Sequence, residues 1–200
     1  TNNVIEWKDY SLTSAERVIH DGKAKTKNYL NIVTGANTSN INGKILGGNN
    51  VYIVNPNGVI FGKGAEVDVG NFYVSTQATN TVNKDADMAN NVSPLGTTAG
   101  LSDVVNMGTL KATKAEVYGK HIRFLNAGDV TGSVVMHTDT VNDGTAHIGY
   151  RGTAPTSGYT VNGAAATAAN NYYQLVSTTT EFQDINNDLT KNYMLENDID

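Results

Sequence analysis

Five residues in the carboxyl-terminal half carry the side chains best suited to chemistry: His137, Asp139, Asp143, His147 and Arg151. Imidazoles and carboxylates can hold a divalent metal or exchange a proton, with a guanidinium as charge partner. Their spacing matches no standard ligand pattern, and Asp139 to Gly144 reads as a turn, so solvated loop positions are the favoured reading. Glu66 and Asp68 alternate along one strand face, with Lys63 as the only cation near them in sequence. Cleavage of a glycoside needs two carboxyl groups roughly 5 to 9 Å apart across a groove. No second segment repeats this pair, and exposed strand positions account for both. His20 and His121 have no partner visible in sequence. No catalytic residue, metal ligand or cofactor is assigned.

The turn Asn55-Pro56-Asn57-Gly58 carries a different kind of signal. Pro56 presets φ and Gly58 permits a positive one, so the segment makes a tight corner. A recognition role beyond that corner is a second reading, and both can hold. Replacement of Asn57 by the turn-compatible Asp would separate the two, since loss of function with intact folding would favour recognition.

The elements that must position these residues are short. Val51 to Val54, Val59 to Phe61, Val67 to Val69 and Phe72 to Val74 are apolar runs of three or four residues separated by Asn, Gly or Pro. They are too short for a sandwich and lack the longer helices of βαβ units. Asn106-Met107-Gly108-Thr109-Leu110 recurs 20 residues later as Asn126-Ala127-Gly128-Asp129-Val130, with a looser echo at Asn42-Gly43-Lys44-Ile45. A polar corner followed by an apolar residue at fixed period suits one rung of a solenoid, with asparagine ladders at the corners. Val4 to Leu12, with Trp7 and Tyr10, is the expected amino-terminal cap. Ala78 to Gly100 reads as an excursion from the coil, expected as a flanking hairpin. Residues 151–171 read as a Gly/Ala/Asn-rich spacer where the main domain, 1–150, weakens or ends. Within 172–200, Thr178 to Glu181 offers a capping box with Phe182, Ile185 and Leu189 at helical spacing behind it, then a strand at Tyr193 to Leu195. Asp200 reads as a boundary inside a longer chain.

The 200 residues carry a net charge of −5 and a pI near 5.3, with no basic stripe to neutralise phosphates, so nucleic acid is excluded as a partner. No apolar run approaches the roughly 20 residues that span a bilayer, and Thr1-Asn2-Asn3 is no signal-peptide start; the expectation is a soluble, processed fragment. The absence of cysteine is unremarkable in a cytosolic protein and also suits passage through an oxidising space without cross-linking. Twenty glycines and 26 asparagines require frequent turns, while 39% hydrophobic content argues against disorder.

From Val33-Thr34-Gly35 through Ser39-Asn40-Ile41-Asn42-Gly43-Lys44-Ile45, then Val51 to Gly62 and Val74-Ser75-Thr76, the sequence resembles the secretion domain of two-partner secretion exoproteins of the filamentous-haemagglutinin type. Val4 to Tyr10 looks like the family's opening segment, and the Asn-x-Gly corners at 106 and 126 look like its later coils. An Asn-Pro-Asn-Leu motif found in part of the family is absent, and Ile32 stands where arginine is common. The tail is similar to segments that precede repeat arrays.

The resemblance implies an all-β, right-handed parallel β-helix with an amino-terminal cap. It implies a non-enzymatic secretion signal on a surface exoprotein of a two-membrane bacterium, passing through the periplasm. The implied partner is an outer-membrane β-barrel transporter with periplasmic POTRA domains, with Asn55 to Gly58 as recognition motif and Ser39 to Gly43 in support. Host-cell or glycan contacts would fall to the missing downstream region. The alternatives are a glycan- or host-binding adhesin module, for which Tyr150, Tyr159, Tyr172 and Tyr173 could serve, and a β-helical polysaccharide-degrading enzyme.

Overall fold

Short apolar runs about 20 residues apart lie side by side as parallel strands, because each corner of Asn and Gly returns the chain to the same heading. The computed structural model describes residues 1–96 and 100–199. In chain order the strands are β1 (Asn2–Trp7), β2 (Arg17–Ile19), β3 (Asn28–Val33), β4 (Ser39–Ile41), β5 (Lys44–Leu46) and β6 (Asn50–Val54). They continue as β7 (Val59–Phe61), β8 (Glu66–Asp68), β9 (Asn71–Ser75), β10 (Val104–Asn106), β11 (Thr109–Gly119) and β12 (Ile122–Phe124). The last are β13 (Val130–Thr138), β14 (Ala146–Tyr150), β15 (Tyr159–Val161), β16 (Ala164–Ala165), β17 (Tyr172–Val176) and β18 (Tyr193–Leu195), with one α-helix, α1 (Thr179–Asp184).

Three rows of strands enclose one core. Row one runs β1-β3-β6-β9-β11-β13-β15 and row two runs β4-β7-β10-β12-β14-β17-β18. Row three is β2-β5-β8, which β11 joins through Thr109–Lys111 before shifting register and pairing with β9 from Lys114. All these pairs are parallel, so the fold is a parallel β-helix. Ile53, Val74, Val117 and Met136 stack inward along row one, against Ile41, Phe61, Phe124 and Ile148 of row two and Ile45, Val67 and Leu110 of row three. Full burial of such a side chain contributes roughly 1.5–3 kcal/mol, so each completed rung adds several.

Corners stack as well. Asn2 Oδ1 accepts from Asn28 Nδ2 (2.8 Å), Asn28 Oδ1 from Asn50 Nδ2 (2.9 Å), and Asn50 Oδ1 from Asn71 Nδ2 (3.0 Å). This ladder satisfies amides that would otherwise be buried without partners. The 20-residue repeat is in register, with Leu110 opposite Val130 and Asn126 Nδ2 donating to the Met107 and Gly108 carbonyls. At the amino-terminal end Trp7 meets the buried Tyr10 edge to face at 5.0 Å, and Leu12 bridges to Ile41, so the first segment closes the core.

Two segments differ from expectation. The excursion holds no strand among its described residues; it makes 3-10 turns at Thr79–Thr81 and Met88–Asn90. Its Met88 fills an apolar patch on the outside of row one formed by Leu30, Ile32, Tyr52 and Val54, which gives the segment a surface to cover in place of strand pairing. Residues 97–99 of the excursion, and Asp200, lie outside the described residues. The 151–171 stretch contains β15, whose Tyr159 is buried and pairs opposite Val134. Coiling continues into the tail, where β17 pairs with β14 and β18 with β17. At α1 Thr178 Oγ1 accepts from Glu181 N (3.1 Å), while Glu181 reaches back to Ser177 N (2.7 Å), one residue beyond the usual capping box. Phe182 and Leu189 are exposed.

Candidate functional site

The corner at residues 55–58 is built from three successive coils. It enters row two from row one, between Val54 and Val59, and Gly58 takes φ +107°, a left-handed conformation open to glycine. Asn55 is fully buried: its Nδ2 donates to Ser39 Oγ (2.9 Å) and the Asn37 carbonyl (3.0 Å), and its Oδ1 accepts from Asn57 N (3.0 Å). Asn57 Nδ2 donates to Asn55 Oδ1 (3.0 Å) and to the Gly35 carbonyl (2.9 Å). Thr38 Oγ1 donates to the Asn57 carbonyl (2.8 Å), and Ser102 Oγ to the Pro56 carbonyl (2.6 Å). The two asparagine side chains are thus consumed in holding one coil to the next. What the corner leaves half-exposed is the Pro56 ring and the outer edge of Asn57.

The supporting segment meets the corner directly. Ser39 lies opposite Val59 and Ile41 opposite Phe61. Asn40 and Asn42 face outward, and the Asn42 N–H donates to the Leu12 carbonyl. At Gly43 a side chain would collide with the Glu16 and Thr13 carbonyls, so glycine here lets the amino-terminal segment pass over the coil. An open groove of about 420 Å³ beside the corner is lined by Thr38, Asn57, Gly58, Ile60, Leu101, Ser102 and Asp103. Ser102 and Thr38 escaped the sequence reading; their part depends on which coils become neighbours, and no local signal marks them.

The comparisons accord with this architecture. The TPS secretion domain family model matches residues 1–199. The chain belongs to that family. Two heme/hemopexin-binding proteins of Haemophilus influenzae are similar to it, one 34% identical over 73 residues and the other 30% over 83. These matches span 36% and 42% of this chain and only 8% and 9% of the relatives. A TPS domain is of the kind carried by secreted exoproteins of Gram-negative bacteria.

The residues suspected of metal or acid-base chemistry go to separate tasks in this TPS domain. His137 stacks on Tyr118 (4.2 Å), its Nε2 2.9 Å from Glu116 Oε1. Asp139 caps the 3-10 turn at Thr140–Asn142, and Asp143 turns the chain at φ +57°. His147 lies 3.3 Å from the Tyr173 hydroxyl, and burial holds its pKa below the ordinary value. Arg151 bonds Ser177 (2.8 Å), Glu181 (3.2 Å) and Glu196, tying the tail to β14. Among the described residues no three His, Asp or Glu side chains gather to hold a metal. Glu66 and Asp68 pair with cations of neighbouring coils, Lys44 (2.5 Å) and Lys25 (2.5 Å) with Lys111 (3.7 Å), and Lys63 is not among them. His121 Nδ1 lies 3.2 Å from Thr145 Oγ1. Tyr150, Tyr159 and Tyr172 are core residues, which removes them as an exposed glycan stripe; Tyr173 stays half-exposed.

Burial raises the hydroxyls of Tyr10, Tyr52, Tyr118 and Tyr159 well above the ordinary value, and Glu116 and His20 are strongly lowered. Hydrogen bonds from His137, Lys114 and Tyr118 outweigh burial and hold the Glu116 carboxyl at a pKa of about 2. Burial pushes His20 down to about 4; among the described residues both ring nitrogens lack a partner, and the ring packs 4.4 Å from Tyr29.

Proposed function

We propose that this chain is the secretion-signal domain at the front of a longer exoprotein, recognised by periplasmic POTRA domains of its partner outer-membrane β-barrel transporter while extended, and folding outside the cell. The observation that carries this reading is the family match over residues 1–199. The structure supports a physical part for folding: every coil laid down outside buries a further layer of the core, at roughly 25 cal/mol per Å² of apolar surface, and resists sliding back. Transport is biased outward without nucleotide hydrolysis. In the extended chain Asn55, Pro56, Asn57 and Gly58 are all open to the transporter; once the chain folds outside, Asn55 and Asn57 become the stitches of the early coils.

The test is export of the chain, given a signal peptide, from cells with and without the transporter, alongside Pro56→Ala. That variant keeps the carbonyl that accepts from Ser102. Transporter-dependent export, reduced in Pro56→Ala at unchanged stability, is the expected result; export indifferent to the transporter refutes the reading. The relatives' name favours a second reading for the full-length protein, binding of heme or hemopexin. Hemin titration of this chain, followed by its visible absorption, is expected to give no saturable shift, because the matched part is under a tenth of each relative.

A further inference from the structure

The corner at which the chain passes from row one to row two is tight in the early coils and wide in the last two. Four residues separate Val54 from Val59 and two separate Gly119 from Ile122, against seven between Thr138 and Ala146 and six between Ala165 and Tyr172. The two wide corners lie on successive coils, because β13 pairs with β15 and β14 with β17. Between them is an open groove of about 440 Å³, within the range of roughly 300–1,000 Å³ usual for small-ligand sites. Loops held by a rigid scaffold are where binding groups collect.

The frame of the groove is fixed by its own hydrogen bonds. Asn162 (φ +48°) and Gly163 (φ +83°) turn the chain from β15 into β16. Asn162 Oδ1 accepts from Thr138 N and its Nδ2 donates to Thr138 Oγ1, both at 2.9 Å. Asn171 Nδ2 donates to the Ala146 carbonyl and its Oδ1 accepts from Thr167 N, both at 3.1 Å. What remains to face the groove is neutral and unspent. The Thr140 hydroxyl and the Asn170 side-chain amide have no partner among the described residues. The hydroxyls of Thr138 and Thr167 accept one bond each, from Asn162 Nδ2 and Asn170 N, and keep their own protons to donate. The exposed methyl groups of Ala164 and Ala165 lie beside them. Among the described residues no Lys, Arg, Asp or Glu lines the groove, and burial holds the His147 imidazole below its ordinary pKa, uncharged at neutral pH.

Hydroxyls and amides that both donate and accept match the hydroxyls of a sugar, which do the same. An anionic ligand would find no cation in the groove and would be repelled by the carboxylates of Asp139 and Asp143 in its flanking corner. An added peptide strand would use the backbone edge of β16 and leave the four polar side chains idle. We propose that this groove binds a neutral glycan, one or two sugar rings hydrogen-bonded by Thr138, Thr140, Thr167 and Asn170 with an apolar ring face against Ala164 and Ala165. The site shares no residue with the corner at 55–58 and does not depend on the secretion reading.

Titration of the isotope-labelled 200-residue chain with maltose, lactose, mannobiose and chitobiose, followed by backbone amide shifts in NMR, tests it. At least one of the four is expected to give saturable shifts confined to residues 138–147 and 161–171, with a dissociation constant on the order of 1 mM. The exposed pair Thr140→Ala and Asn170→Ala, made together, should weaken that binding about ten-fold with the melting of the chain unaltered. Absence of a saturable shift from all four sugars overturns the proposal, and so does unchanged affinity in the double variant, which would seat the sugar elsewhere. Sialyllactose binding as tightly as the neutral sugars would overturn the assignment to a neutral ligand. Saturable shifts from an extended peptide of alternating threonine and valine, with none from the sugars, would assign the groove to strand addition on β16 and overturn it too.

Discussion

Replacing Asn57 by Asp keeps the size of the side chain and reverses its hydrogen-bonding sense. The amide nitrogen of Asn57 donates at 2.9 Å to the Gly35 carbonyl and at 3.0 Å to Asn55 Oδ1. An ionised carboxylate loses both bonds, at about 1 kcal/mol each, and sets an anionic oxygen against two acceptors in a half-buried place. The expected cost is about 2–4 kcal/mol for N57D, against about 1–2 kcal/mol for N57A, which removes the bonds without the repulsion. Urea unfolding of the 200-residue chain, followed by circular dichroism, measures both. Below about pH 4 the introduced carboxyl takes up a proton and regains a donor, so the gap between N57D and wild type should narrow there. N57D within about 0.5 kcal/mol of wild type, or less destabilising than N57A, would refute the reasoning. The consequence for export assays is direct: N57D cannot separate recognition from folding, and Pro56→Ala is the cleaner probe.

His20 stays neutral in the fold down to a pKa of about 4, while the unfolded chain takes its proton near 6.5. Stability should therefore fall by up to about 3 kcal/mol as pH drops from 6.5 to 4, and His20→Phe should flatten that window in pH-resolved unfolding; a variant that tracks wild type would contradict the burial argument. Glu116 has the opposite chemistry and a lower window: its stabilisation, on the order of 2 kcal/mol after discounting for its remaining exposure, is present above pH 4.5 and lost as pH falls toward 2. Glu116→Gln should remove that slope, and persistence of the slope in the variant would assign it elsewhere. Ile53→Ala, fully buried between coils, should cost about 3–4 kcal/mol in the same unfolding assay, and a cost under about 1 kcal/mol would mean the stack collapses around the gap.

Much of the architecture was legible because it is locally encoded. Alternating apolar residues in runs of three or four, broken by Asn and Gly, specify short half-buried strands and corners wherever they occur. The 106/126 repeat set the coil length, and the structure pairs Leu110 with Val130 at that spacing. The bulk of Trp7 and Tyr10 marked the amino-terminal cap. Less legible was the carboxyl-terminal part, since residues 151–171 have few large apolar side chains and a strand such as β15 contributes one inward tyrosine to a core built mostly by others.

The sequence by itself determined where most of the early coils turn and which faces are apolar, because φ preferences and alternation act over a few residues, whereas the eleven-residue β11 and nine-residue β13 were not marked by any local run. Only the tertiary structure decided which coils are neighbours, and with that which side chains are spent. In a parallel β-helix the bonding partner of a residue lies about 20 or more positions away on a neighbouring coil, so no local pattern could show that Asn57 reaches Gly35, that Ser102 holds Pro56, or that Met88 covers the outside of row one.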